Sequence, residues 1–156
     1  MAELIRISEI GKHVGQAVTI RGWLYNHRSS GKIRFLEMRD GSPTTLQCVA
    51  AAGTADDSSF AVSAELTQES SLIVTGLAKA HPKKAGVFEM DVHHIEVVQK
   101  AEANYPISHK EHGPEHLMQN RHLWLRTPRQ VAIARVRAGI VKSIRDFFDS
   151  RDFVLM

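Results

Sequence analysis

Five short runs of alternating apolar and polar residues, cut apart by turn signals and interrupted once by a helical stretch, limit what the first hundred residues can build. Val18, Ile20 and Leu24 alternate with polar or small neighbours, the period-two signature of a half-buried strand. His27-Arg28-Ser29-Ser30-Gly31 reads as a turn, and Ile33 to Arg39 as a second strand. Asp40-Gly41-Ser42-Pro43 is a strong turn signal, followed by a third strand over Thr45 to Val49. The small and polar stretch from Ala50 to Asp57 predicts a loop. Phe60 to Leu66 then predicts a short helix, with Asp57, Ser58 or Ser59 as its cap. A fourth strand is expected from Ser71 to Ala78. Pro82-Lys83-Lys84-Ala85-Gly86 turns the chain, and Val87 to Val98 supplies the fifth strand.

Five strands with a helix between the third and fourth is the order of an OB-fold, a small, partly open barrel that often binds oligonucleotides. A β-sandwich made of similar strands satisfies the same pattern. Beyond residue 100 the character changes. Asn104 to Arg126 is rich in histidine, carries breaks at Pro106 and Pro114, and has no sustained period, so it reads as a hinge. A helix is expected from Pro128 to about Ser150: Thr127 caps it, Pro128 takes the first position where its missing N–H costs nothing, and Gln130 closes a capping box. Ile133, Val136, Ile140, Ile144, Phe147 and Phe148 recur at helical steps and make one apolar stripe. Phe153-Val154-Leu155-Met156 looks like a strand beginning. A helix and a strand alone enclose no core, and the expectation is a longer natural polypeptide. The division expected is therefore a barrel over residues 1–100, a hinge over 101–127, and the start of a second domain over 128–156.

Composition excludes more than it selects. Hydrophobic residues at 43% and charged residues at 24% are ordinary for a globular protein. No run approaches the roughly 18 apolar residues of a membrane span, and the N-terminus lacks the basic and apolar regions of a secretory signal. A cytoplasmic protein with no membrane partner is expected. The one cysteine, Cys48, lies in an apolar strand and reads as a small core residue. Net charge is only +3, but from Lys12 to Arg39 six Lys/Arg face a single acid, Glu37, a surface to which a phosphate backbone is drawn. Nine histidines raise the question of a metal. Structural zinc usually takes cysteine ligands and catalytic zinc a helical His-Glu-x-x-His; neither is present, and no metal is expected. No Gly-rich phosphate loop, nucleophile elbow or catalytic carboxylate pair appears, so no catalytic residue is assigned.

Strand parity selects the candidate binding residues. If Leu36 and Met38 fill the barrel, Phe35 points outward, where an aromatic ring can stack a base. Leu46 and Cys48 inward put Gln47 outward, and an amide both donates to and accepts from a base edge. Phe88, Met90 and Val92 inward leave Glu89 outside as an acceptor. Arg28, in the basic turn, can hold phosphate or base.

The runs His13-Val14-Gly15-Gln16-Ala17-Val18-Thr19-Ile20-Arg21-Gly22-Trp23 and Arg28-Ser29-Ser30-Gly31-Lys32-Ile33-Arg34-Phe35-Leu36-Glu37-Met38-Arg39-Asp40-Gly41 resemble the anticodon-binding domain of the class II aminoacyl-tRNA synthetases for Asn, Asp and Lys. Tyr105-Pro106-Ile107-Ser108-His109-Lys110-Glu111-His112-Gly113, with Arg121-His122-Leu123-Trp124-Leu125-Arg126, resembles the bacterial asparaginyl-tRNA synthetases in particular. The resemblance covers essentially the whole chain. It implies a mainly β fold: a five-stranded OB-fold barrel, a hinge, then the first long helix of an α/β class II catalytic domain, cut short here. It implies anticodon binding by Phe35 stacking on the central uridine and by Gln47 and Glu89 reading its edge, with Arg28 on the anticodon stem or loop. It implies tRNA(Asn) as partner and a homodimer in the full enzyme through the stripe of the last helix. The family reaction forms an asparaginyl adenylate from ATP with magnesium and passes asparagine to the tRNA. The ATP and amino-acid motifs are absent from this sequence, so no cofactor is expected in this chain and the chain alone should be inactive. Two alternatives share the same features: a fragment of the aspartyl enzyme, or a free-standing tRNA-binding OB module. A third reading, an assembly protein that pairs through the helix stripe, predicts dimers without RNA affinity.

Overall fold

A computed structural model describes residues 2–156. Among these, the first part of the chain forms β1 (Glu3–Leu4), a 3-10 helix (Ile7–Lys12), β2 (Ala17–Ser30), β3 (Ile33–Arg39), β4 (Leu46–Ala51), α1 (Asp57–Val62), β5 (Ser71–Ala80) and β6 (Phe88–Gln99). Pairing closes this sheet on itself. β2 pairs antiparallel with β3, β3 with β4, β6 with β5, and β5 again with β2, while β4 and β6 run parallel. The closed five-stranded circuit is the OB-fold barrel expected from the strand order, and it excludes the sandwich. β1 adds a two-residue parallel rim to β2.

Alternation explains the barrel's interior. Val18, Ile20, Leu24, Leu36, Met38, Leu46, Cys48, Leu72, Val74, Met90 and Val92 are all buried and share one cluster. Burying each of the larger ones contributes roughly 1.5–3 kcal/mol. Cys48 sits fully inside, where burial pushes its thiol far above the ordinary range. Gly22 and Gly76 permit close backbone approach, since a Cβ on them would lie 2.3 Å from the Arg39 carbonyl and 2.1 Å from that of Asp91.

Several local expectations are corrected. β2 continues through the predicted turn at Arg28, Ser29 and Ser30, because these pair in register with Phe35, Arg34 and Ile33; Gly31, at φ +56°, makes the turn. α1 begins three residues earlier than expected, and its cap is Asp56, which accepts from the Ser59 N–H at 2.7 Å and the Ser58 hydroxyl at 2.6 Å. With extended backbone, Asp56 meets the geometric demand of an N-cap that Asp57, Ser58 and Ser59, inside the helix, do not.

The chain divides into two units after Tyr105. In the second, the segment expected as an irregular hinge contains two short helices, α2 (Pro114–Gln119) and α3 (Arg121–Trp124), too brief to show a period in sequence. α4 (Pro128–Asp149) starts at proline as expected. Its capping box does not form: Thr127 is extended, but its hydroxyl donates to the Trp124 carbonyl at 2.8 Å. The stripe residues Ile133, Val136, Ile140, Ile144 and Phe147 are all exposed. Phe153 to Met156 form no strand; Phe148 meets Phe153 edge to face at 5.4 Å. Among the described residues no helix is long and apolar enough to cross a membrane.

Candidate nucleic-acid interface

The outward face of β2, β3, β4 and β6 assembles a polar groove around one aromatic ring. With Leu36 and Met38 fully buried, parity turns Phe35 outward, where it is half-buried beside the groove. Arg28 is its register partner on β2, and the guanidinium carbon lies 4.3 Å from the ring centroid. Such a cation–π contact is worth roughly 0.5–1 kcal/mol when exposed. Arg28 Nη2 also donates to Gln47 Oε1 at 2.9 Å, and Gln47 Nε2 donates to Glu89 Oε2 at 3.2 Å. Lys79 Nζ lies 3.2 Å from Glu89 Oε1 and 2.7 Å from Asp91 Oδ1. All four residues singled out in the sequence therefore belong to one continuous network.

Two placements differ from expectation. Glu89 lies on the predicted face but is only 5% exposed, because its cross-strand neighbours Gln47 and Lys79 bond to both its oxygens and cover it. Phe88 is inward only in part: it packs against the buried cluster, but it is half-buried at the start of β6, lines the groove, and lays its ring against Gly11, where a Cβ would approach within 2.8 Å.

The groove has a volume of about 530 Å³ and is also lined by Asn26, His27, Glu37, Thr45, His81, Lys84 and Val87. Glu37 is fixed there by the Thr45 hydroxyl at 2.7 Å. Sequence reasoning missed Lys79, Asp91 and the groove role of the turn between β5 and β6. Counting by twos from buried Leu72, Val74 and Ala78 puts Lys79 outward, so that signal was available. The Lys79 ammonium is held above its ordinary value, chiefly by its hydrogen bond to Asp91. The groove thus offers an aromatic platform, a guanidinium donor, an amide that donates and accepts, a carboxyl group and peripheral cations, the set that single-stranded nucleic acid engages.

A second polar cluster has the composition of a hydrolytic triad but not its geometry. Ser59 Oγ is buried, donates to Asp56 Oδ2 at 2.9 Å and accepts from the Ile95 N–H at 2.7 Å, while His94 Nδ1 lies 2.9 Å from Asp56. It ties α1 to β6. Two further histidines hold local structure: His112 Nε2 accepts from the Ser108 N–H at 3.1 Å, and His116 lies 2.9 Å from the Pro106 carbonyl. Among the described residues no group of His, Cys, Asp and Glu is arranged to hold a metal ion.

Residues 18–98 match the family described as the OB-fold nucleic acid binding domain. The chain belongs to this family. As an OB-fold protein it is 52% identical over 153 residues to the asparagine–tRNA ligase of Sorangium cellulosum, and 51% identical over 156 residues to that of Koribacter versatilis. These alignments cover 98% and 99% of this chain but 34% and 35% of the relatives, so the chain spans about a third of the curated relatives it matches. The crystal structure of asparaginyl-tRNA synthetase from Pyrococcus horikoshii superimposes with a TM-score of 0.86 at 31% identity, over 98% of this chain and 37% of that one. The similarity extends past the barrel and through the second unit.

Proposed function

We propose that this chain is the anticodon-binding region of an asparagine–tRNA ligase and that its groove reads the central base of the tRNA(Asn) anticodon. The observation that carries the reading is the junction of Arg28, Phe35, Gln47 and Glu89 in one network beside an open groove. A base stacks on Phe35 as Arg28 swings off the ring toward the backbone phosphate. Gln47 rotates its amide to the base edge, and Glu89 accepts a ring N–H. Uracil, with one ring N–H between two carbonyls, complements an acceptor flanked by donors. Stacking contributes roughly 1–3 kcal/mol and the edge contacts supply selectivity.

In the whole ligase, acting in the cytoplasm, asparagine is activated with ATP and magnesium and transferred to the tRNA; no residue of this chain is assigned to either cofactor. The exposed stripe Ile133, Val136, Ile140 and Ile144 supports pairing with a second copy in that enzyme.

An NMR titration with an RNA stem-loop carrying the asparagine anticodon tests this function. Resonances of Arg28, Phe35 and Gln47 are expected to shift together. Shifts confined to α4 or to the β5–β2 side of the barrel, with the groove silent, overturn the reading.

A further inference from the structure

Gln47, Glu89 and Lys79 stand opposite one another across β4, β6 and β5 and form a single row. Glu89, in the middle, has one oxygen on Gln47 and the other on Lys79, and is 5% exposed. A carboxylate so covered, deprived of its cation, takes up a proton more readily because burial penalises the charged form. Protonation changes what the group presents to a base: a carboxylate only accepts, whereas a carboxylic acid also donates.

Building on the reading of the groove as a base-binding site, we propose that Lys79 is a positioning residue that keeps Glu89 an ionised acceptor and thereby sets the groove's preference for uracil, which presents a ring N–H, over cytosine, whose corresponding nitrogen is bare. Lys79 acts through Glu89. Asp91, 2.7 Å from the ammonium, anchors it from the other side. The other charged or titratable groups lining the groove are His27 and Arg28 of β2, Glu37 of β3, and His81 and Lys84 of the β5–β6 turn. Of these, His27 and His81 are the imidazoles.

The test compares stem-loops with central uridine and central cytidine, over a mildly acidic to mildly alkaline pH series, for the wild-type chain, Lys79→Met and Lys79→Arg. Lys79→Met is expected to lose about tenfold of the uridine preference at the acidic end and to recover it toward the alkaline end, while Lys79→Arg retains it. In a Glu89→Gln background Lys79→Met changes the preference no further, and any pH dependence owed to His27 or His81 survives there. Carboxyl 13C NMR of the free Lys79→Met protein should show the Glu89 titration midpoint raised. Equal weakening of both RNAs at every pH marks Lys79 as a phosphate contact and overturns the inference, as does an unmoved Glu89 midpoint. A wild-type chain with no uridine preference sinks the base-reading function itself, whereas a wild-type preference left intact in Lys79→Met sinks only the role of Lys79.

Discussion

The Arg28 guanidinium covers the Phe35 ring at 4.3 Å while donating to Gln47 at 2.9 Å. The free groove therefore holds its own cation on the surface a base would take. On the proposed reading, a base would displace the guanidinium at the cost of a cation–π attraction of roughly 0.5–1 kcal/mol and of the hydrogen bond to Gln47, offset where the displaced charge meets a phosphate.

Arg28→Ala follows from that exchange. It is expected to weaken binding of stem-loops about equally whatever their central base, and to flatten the plot of log K against log salt by roughly 0.7, the share of one phosphate contact on single-stranded nucleic acid. Fluorescence anisotropy over a salt series measures both. An unchanged slope contradicts a phosphate role for Arg28.

Phe35→Ala is expected to weaken binding by ~1–3 kcal/mol while leaving the thermal midpoint nearly unchanged, since the ring flanks the groove and is not part of the buried cluster. A large fall in melting temperature would mean that the ring packs as a core member.

Gly76→Ala places a methyl 2.1 Å from the Asp91 carbonyl, across the irregularity in the β5–β6 pairing. Thermal denaturation should register a loss of about 1–3 kcal/mol, as for other overpacked positions. Gly113→Ala meets nothing within 4 Å and should stay within roughly 0.5 kcal/mol of wild type. Equal stability of the two variants would refute the close-approach account.

Asp56 gives an acid-side prediction. The Ser58 hydroxyl, then the Ser59 N–H, His94 and the Ser59 hydroxyl hold its carboxyl well below the usual range. A carboxylate lowered on folding stabilises the fold above its unfolded pKa, near 3.9, and that contribution is lost as pH falls through the lower folded value. Asp56→Asn should therefore melt lower at neutral pH and show a shallower decline below about pH 4. Parallel acid limbs for variant and wild type would contradict the assignment.

The barrel was legible because inward residues recur at steps of two along β3, β4 and the start of β6: Leu36 and Met38, Leu46 and Cys48, Met90 and Val92 all lie inside. Where a strand ends in polar residues, as at Arg28, Ser29 and Ser30, the signal vanishes although the backbone pairing persists. The Asp56 cap was missed by one residue because Asp56 and Asp57 are equivalent in composition and differ only in backbone angle. For the site, parity found the face but not the cover. Glu89 is buried by what β4 and β5 lay across it, and register between strands distant in sequence is not written in either strand alone. Phe88 packs against the core as parity requires, but as the first residue of its strand it is only half-covered and also meets Gly11 of the 3-10 helix.

The most direct measurement is the affinity of the chain for four anticodon stem-loops that differ only in the central base, at one stated salt concentration. Uridine-dependent binding is expected, tighter by ~1–3 kcal/mol than with any other base. Equal affinity for all four would contradict base reading at Phe35.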